Sequence, residues 1–282
     1  MALLATISKH ACHGGELGYF QHPSKANDCD MKFAVYVPPQ ARTGPVPVLY
    51  YLAGLTCNEE TFVTKAGALE HAARHGLMLV APDTSPRVQL PGDRESWDFG
   101  IAAGFYLDAT EAPWSKHYHM YRYVVDELPG VIAANFPADT VRSGIMGHSM
   151  GGHGALTIGL KNPQKYRSLS AFAPIAAPIQ SPWGLKAFTG YLGAYRAAWS
   201  QYDATELVKA GHRFASGILV DQGTADKFLD DQLKPELLAT ACKAAGQPLE
   251  LRMREGYDHG YFFIQSFMRE HIDWHASRLG MG

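Results

Sequence analysis

Apolar and polar positions change period several times along this chain. Residues 31–39 (MKFAVYVPP) alternate with period two and stop at two prolines, which predicts a half-buried strand. PVLYYLAG (47–54) and GLMLVAPD (76–83) are unbroken apolar runs of the kind that strands buried on both faces show. Between them, EETFVTKAGALEHAARHG (59–76) has helical spacing and closes on Gly76. RSGIMG (142–147), LSAFAP (169–174), SGILVDQG (216–223) and LELRMRE (249–255) predict further strands. MGGHGALTIGLKN (150–162), LDDQLKPELLATACKAAG (229–246) and YFFIQSFMREHIDWHASRL (261–279) predict helices. Strand and helix alternate to the end, so a mostly parallel sheet with helices on both faces is expected. The stretch from about 84 to 115, rich in Pro, Gly and aromatics, reads as an ordered excursion over one edge. With no repeat and no long linker, residues 1–282 are expected to form one α/β domain.

Composition narrows the function classes. Hydrophobic residues make up 46% and charged residues 18% of the 282, enough for a sizeable core. A net charge of −2 with scattered Lys and Arg gives no footprint for nucleic acid or an anionic membrane. No apolar run reaches the length of a membrane span. The N-terminus lacks a basic residue ahead of its apolar start and has no small-residue cleavage site, so a secretory signal is not expected. Cys12, Cys29, Cys57 and Cys242 form no CxxC pair and no zinc-finger spacing, which suits reduced thiols in the cytosol.

The chemistry concentrates at residues 145–156, IMGHSMGGHGAL, where four glycines and two histidines surround one serine. Gly147-His148-Ser149-Met150-Gly151 fits G-x-S-x-G, a strand-to-helix elbow whose tight turn needs small neighbours on both sides of the nucleophile. The carboxyl end of a strand in an α/β sheet is also where ligands bind. A serine needs a base, and the base needs a third group to orient it. His259 stands in EGYDHGY, a turn between the last strand and the last helix, and is the expected base. His153 lies inside the helix after the elbow, where packing or capping is expected. His271 and His275 lie at i, i+4 on one helix face; a metal pair is conceivable, but a solvated face is the expectation. For the acid, Asp226 in DQGTADKFL follows strand SGILV by a short loop and is preferred to Asp221, nearer the strand; Asp258 adjoins the histidine and would struggle to turn onto its ring. Two backbone N–H groups should hold the oxyanion: Met150, directly after the serine, and Leu55, in the loop after PVLYYL where Gly54 permits close approach. Trp97, Tyr106, His148 and Trp183 are candidates to line the pocket, although aromatics in such loops serve equally as packing.

With these residues placed, the sequence resembles the S-formylglutathione hydrolase (esterase D) family nearly end to end. The similarity includes KFAVYVPP, LAGLTCNEETF, MYRYVVDELP, GHSMGGHGAL and EGYDHGYFFI. The resemblance implies an α/β-hydrolase fold and a serine hydrolase without cofactor or metal. It implies S-formylglutathione as substrate, cleaved to formate and glutathione in formaldehyde detoxification. It implies a triad on Ser149, Asp226 and His259, oxyanion donors on Leu55 and Met150, and a cytoplasmic homodimer. Cys57 matches a family cysteine near the site, with a small buried hydrophobe as the equal alternative. The family's glycine-rich DFGxGAGFY reads here Asp98-Phe99-Gly100-Ile101-Ala102-Ala103-Gly104-Phe105-Tyr106, with Ala102 in place of a glycine, and the acid loop has small residues at Thr224 and Ala225. A general short-chain carboxylesterase is the alternative activity; an acyltransferase or a non-catalytic scaffold stand further off.

Overall fold

The computed structural model describes residues 4–93 and 96–281. Among the described residues nine strands form one sheet: β1 (Ala5–Cys12), β2 (Gly15–Ser24), β3 (Cys29–Val37), β4 (Val46–Leu52), β5 (Met78–Pro82), β6 (Ala138–His148), β7 (Ser168–Phe172), β8 (Ile218–Gly223) and β9 (Leu249–Arg254). Their spatial order is β1-β2-β3-β5-β4-β6-β7-β8-β9. From β5 to β9 every neighbouring pair is parallel, whereas β1, β2 and β3 pair antiparallel with one another and onto β5. Strands β4, β5, β7 and β8 are buried along their whole lengths, which explains the unbroken apolar runs of β4 and β5.

The helices are α1 (Glu59–Lys65), α2 (Ala68–His75), α3 (Met120–Arg122), α4 (Leu128–Asn135), α5 (Met150–Lys161), α6 (Pro182–Leu192), α7 (Ala204–Lys209), α8 (Pro235–Ala245) and α9 (Tyr261–Arg278). The single helix expected over 59–76 is two, because Gly67 takes φ +67° between them. The C-terminal stop at Gly76 is as expected, with φ +70° and its N–H on the Ala72 and Ala73 carbonyls. The helix expected over 229–246 opens with a π turn, Leu229–Leu233, and restarts at Pro235 after a left-handed Lys234. Residues 120–135 form a helix that the pattern did not predict. Pro129 lacks the N–H that would bond back along this helix, and a wide π turn, Tyr123–Glu127, takes up the defect. The Val125 carbonyl accepts from Lys165 Nζ at 3.1 Å instead.

Strand β7 shows how the two faces are covered. Leu169 packs where Gly159 of α5 leaves room for it, while its neighbours Ser168 and Ser170 meet α9. Successive residues of a strand point to opposite faces, so α5 and α9 lie on opposite sides of the sheet. The α9 contact corrects one expectation: His271 and His275 are fully buried, not solvated. His275 bonds Ser168 Oγ at 2.6 Å and Ser170 Oγ at 2.8 Å, and Ser170 Oγ also meets His271 Nδ1 at 2.9 Å. Side-chain hydroxyls of β7 thus partner both nitrogens of His275 and Nδ1 of His271, which burial would otherwise penalise. Among the described residues no cluster of His, Cys, Asp or Glu could hold a metal ion, and no helix is long and apolar enough to cross a membrane.

Burial holds the imidazoles of His271 and His275 below their usual range, and that of His153 at about 4. The unfolded chain therefore binds protons more readily than the folded one as pH falls through about 6.5. Stability contributed by these histidines is complete above that pH and lost below it. Melting followed from pH 7.5 to 5 should show the midpoint constant near the top and falling by several degrees at the bottom. A flat profile would contradict this assignment.

Candidate active site

Ser149 sits between the end of β6 and the start of α5 with φ +56° and ψ −119°, a conformation that costs a non-glycine residue about 1–3 kcal/mol. The surroundings fix it there. Its N–H donates to the Phe172 carbonyl at 3.0 Å, and its own carbonyl accepts from His153 N–H at 2.9 Å and Ile175 N–H at 3.3 Å. The flanking glycines are required by contact rather than by flexibility. A Cβ on Gly147 would lie 2.1 Å from the Gly151 carbonyl oxygen, and one on Gly151 would lie 1.9 Å from that of Leu52. Gly152 and Gly154 accommodate Pro174 and the Tyr106 ring in the same way.

The acid and the imidazole come from the loops after β8 and β9, the last two strands towards the edge. Asp226, in the loop after β8, accepts from His259 Nδ1 at 2.6 Å. The same Oδ2 takes Gln222 Nε2–H at 3.1 Å, and Oδ1 takes the Phe228 N–H at 2.9 Å. A carboxylate so placed only accepts, so the His259 proton resides on Nδ1 and leaves Nε2 as the basic nitrogen. Asp221 is fully buried and faces elsewhere: Arg254 reaches its Oδ2 at 2.9 Å and His271 Nε2 lies 3.6 Å away. Burial alone would raise the Asp221 carboxyl, but His271 and Arg254 outweigh it and hold the group below its ordinary value. Asp258 accepts from the Gly260 N–H at 2.9 Å, bracing the entry to α9.

Ser149 and His259 open on one cavity of about 190 Å³, walled by Gly54, Leu55, Thr56 and Cys57 on one side and by Trp97, Trp183 and Phe228 on the other. His148 also lines it, with its ring 4.6 Å from that of His259 and its nitrogens sealed from solvent. Burial first, and then the charge His259 can carry, keep His148 well below the usual imidazole value, so it is neutral at pH 7. Burial raises the Cys57 thiol, which makes it a weak nucleophile. The loop carrying Leu55 is pinned on either side of the cavity wall: Thr56 N–H donates to Ala102 O at 3.1 Å and Cys57 N–H to Gly54 O at 3.3 Å. Among the described residues neither Leu55 N–H nor Met150 N–H is engaged by a backbone carbonyl. Met150 is fully buried and directly follows Ser149 at the N-terminus of α5.

Two aromatics differ from their expected places. Tyr106 does not line the cavity; it is fully buried and donates its hydroxyl to the Ala53 carbonyl at 2.9 Å, supporting the Leu55 loop from behind. Phe228 was not among the candidates, yet it forms a wall and meets the His259 ring edge-on at 5.1 Å. Its position two residues after Asp226 is the signal that could have found it. Gln222, the second donor on Asp226, carried no such signal.

Comparison with known proteins places these features in company. The family model described as "Putative esterase" matches residues 24–274. An S-formylglutathione hydrolase of Paracoccus denitrificans (strain Pd 1222) is 53% identical over 275 residues, 98% of each chain. One of Mus musculus is 52% identical over 278 residues, covering 98% of this chain and 99% of its own. The solved structure of an S-formylglutathione hydrolase from Agrobacterium tumefaciens superposes with a TM-score of 0.96 at 51% identity, covering 98% of this chain and 99% of that one. FphF of Staphylococcus aureus, a fluorophosphonate-binding serine hydrolase, shares the fold at 18% identity and a TM-score of 0.74, over 93% of this chain and 98% of its own.

Gly151→Ala should destabilise the protein by roughly 3 kcal/mol or more, because its methyl has only backbone to displace. Denaturant unfolding of the variant checks this; a loss under about 1 kcal/mol would show that the elbow yields.

Proposed function

The chain belongs to the esterase family, among its S-formylglutathione hydrolases, and on that premise we propose that Ser149, His259 and Asp226 carry out its hydrolysis of S-formylglutathione to formate and glutathione. The observation that carries the assignment is the 2.6 Å His259–Asp226 bond on the wall of the cavity that Ser149 also lines. In this reading His259 Nε2 takes the Ser149 proton as Oγ attacks the formyl carbon. The Leu55 and Met150 N–H groups receive the developing oxyanion. Collapse breaks the C–S bond, and the glutathione thiolate leaves with a proton from His259. A thiol of pKa about 8.5 is a far better leaving group than an amine, so the site needs little acid assistance. Water, deprotonated by His259, then attacks the formyl-enzyme and releases formate and Ser149.

The cavity supports a short acyl group. Its volume of about 190 Å³ is below the roughly 300 Å³ at which pockets enclose drug-sized ligands. We further infer a place in formaldehyde detoxification, in the cytoplasm, as a homodimer. Four free thiols suit a reducing compartment, and family resemblance supports the rest.

Ser149→Ala should lower kcat at least about 10³-fold, measured as formate release from S-formylglutathione. Asp226→Asn should lower kcat by about 10²–10⁴-fold with stability nearly intact. Asp221→Asn should do the reverse, costing about 1–3 kcal/mol in unfolding with turnover within a few fold. Equal kinetic losses in the two aspartate variants would undo the assignment of roles. Across S-acyl glutathiones, kcat/KM should fall steeply from formyl to butyryl; a flat series would mean the acyl group does not enter this cavity.

A further inference from the structure

The same volume limits what else of the substrate can enter. A space of about 190 Å³ takes the acyl group and sulfur but not a tripeptide, which needs roughly 300 Å³ or more. The glutathionyl portion, with its two carboxylates and one ammonium, must lie across the rim. That rim is largely aromatic. Trp97 is 56% exposed and meets Trp183 edge-on at 5.6 Å, and Trp183 packs on Phe228 at 4.7 Å. Such walls offer platforms without charge, so the carboxylates need a cation from nearby.

Two lysines stand on this side. Lys186, on α6 one turn after Trp183, is already committed, its Nζ 2.5 Å from both Asp98 Oδ1 and Ser96 Oγ. Lys227 is free for a ligand. It directly follows Asp226, its side chain is exposed, and its Nζ lies 4.9 Å from the centroid of the Phe228 ring. That ring is the one whose edge meets His259. Among the described residues no carboxylate pairs with Lys227. A cation held over an aromatic face keeps its direction without losing its charge, and an exposed ammonium needs little desolvation to meet a carboxylate.

We propose that Lys227 is a docking cation for a carboxylate of the glutathionyl group, which makes it a determinant of preference for the glutathione thioester over a neutral ester. This rests on the S-formylglutathione reading above. Phe228 then has two tasks, as a wall beside His259 and as the platform that aims the ammonium at the rim.

The test compares kcat/KM for S-formylglutathione and for p-nitrophenyl formate at low ionic strength, in the wild type, Lys227→Met and Lys227→Glu. The ratio of thioester to ester should fall about threefold in the Met variant and about tenfold in the Glu variant, through KM rather than kcat. The difference should shrink in high salt. An unchanged ratio in Lys227→Glu overturns the proposal, as does an equal loss on both substrates. Lys65 of α1 stands on the Cys57 side, and a ratio that falls in Lys65→Met but not in Lys227→Glu also overturns it. If the wild type itself leaves S-formylglutathione uncleaved, the functional reading fails, a result distinct from an active wild type with an unchanged ratio.

Discussion

The arrangement depends on how closely two backbones approach at the elbow. The chain leaving β6 must reverse into α5 directly beside the carbonyl end of β4, and the Gly151 position is so tight that any Cβ there would overlap the Leu52 oxygen. The approach sets the loop of Gly54 and Leu55 against Ser149. It also holds the serine in a left-handed conformation that three backbone hydrogen bonds over-determine. One packing contact therefore brings the Leu55 loop and Ser149 to a common cavity.

The acid arm follows from where strands end. Asp221 and Asp226 differ by five residues but by an entire environment. The first lies within β8, where strand geometry points it toward α9 and the Arg254 guanidinium. The second lies in the loop beyond, where Gln222 and the Phe228 amide hold its carboxylate towards His259. A carboxylate fixed by two other donors and a third from the imidazole does not swing, so the tautomer of His259 is set before substrate arrives.

Helix α9 begins two residues after His259, and its seating on β7 determines where that histidine stands. The seating is unusually polar for a helix–sheet contact. Serines of β7 and imidazoles of α9 exchange hydrogen bonds in a fully buried row that continues to Asp221. Apolar packing tolerates sliding by small amounts, whereas hydrogen-bonded groups fix register. The row ties the helix that follows His259 to the same strand whose last carbonyl holds the Ser149 amide.

Much of this was written in local sequence. Apolar runs identified the buried strands, because a strand covered on both faces tolerates little else. G-x-S-x-G marked the elbow, because a backbone contact excludes any Cβ there. Ser149, Asp226 and His259 were picked out by their places in loops after β6, β8 and β9. Other features were decided by distant contacts. The antiparallel edge strand β1 carries too many exposed positions to show a core pattern, and the helix over 120–135 hides a proline whose loss Lys165 repairs from across the fold. His271 and His275 read as solvated because nothing local reveals the serines that receive them. Tyr106 moved behind the loop and Phe228 came to the wall for the same reason: a side chain's neighbours are chosen by the whole packing arrangement, which periodicity along one segment does not encode.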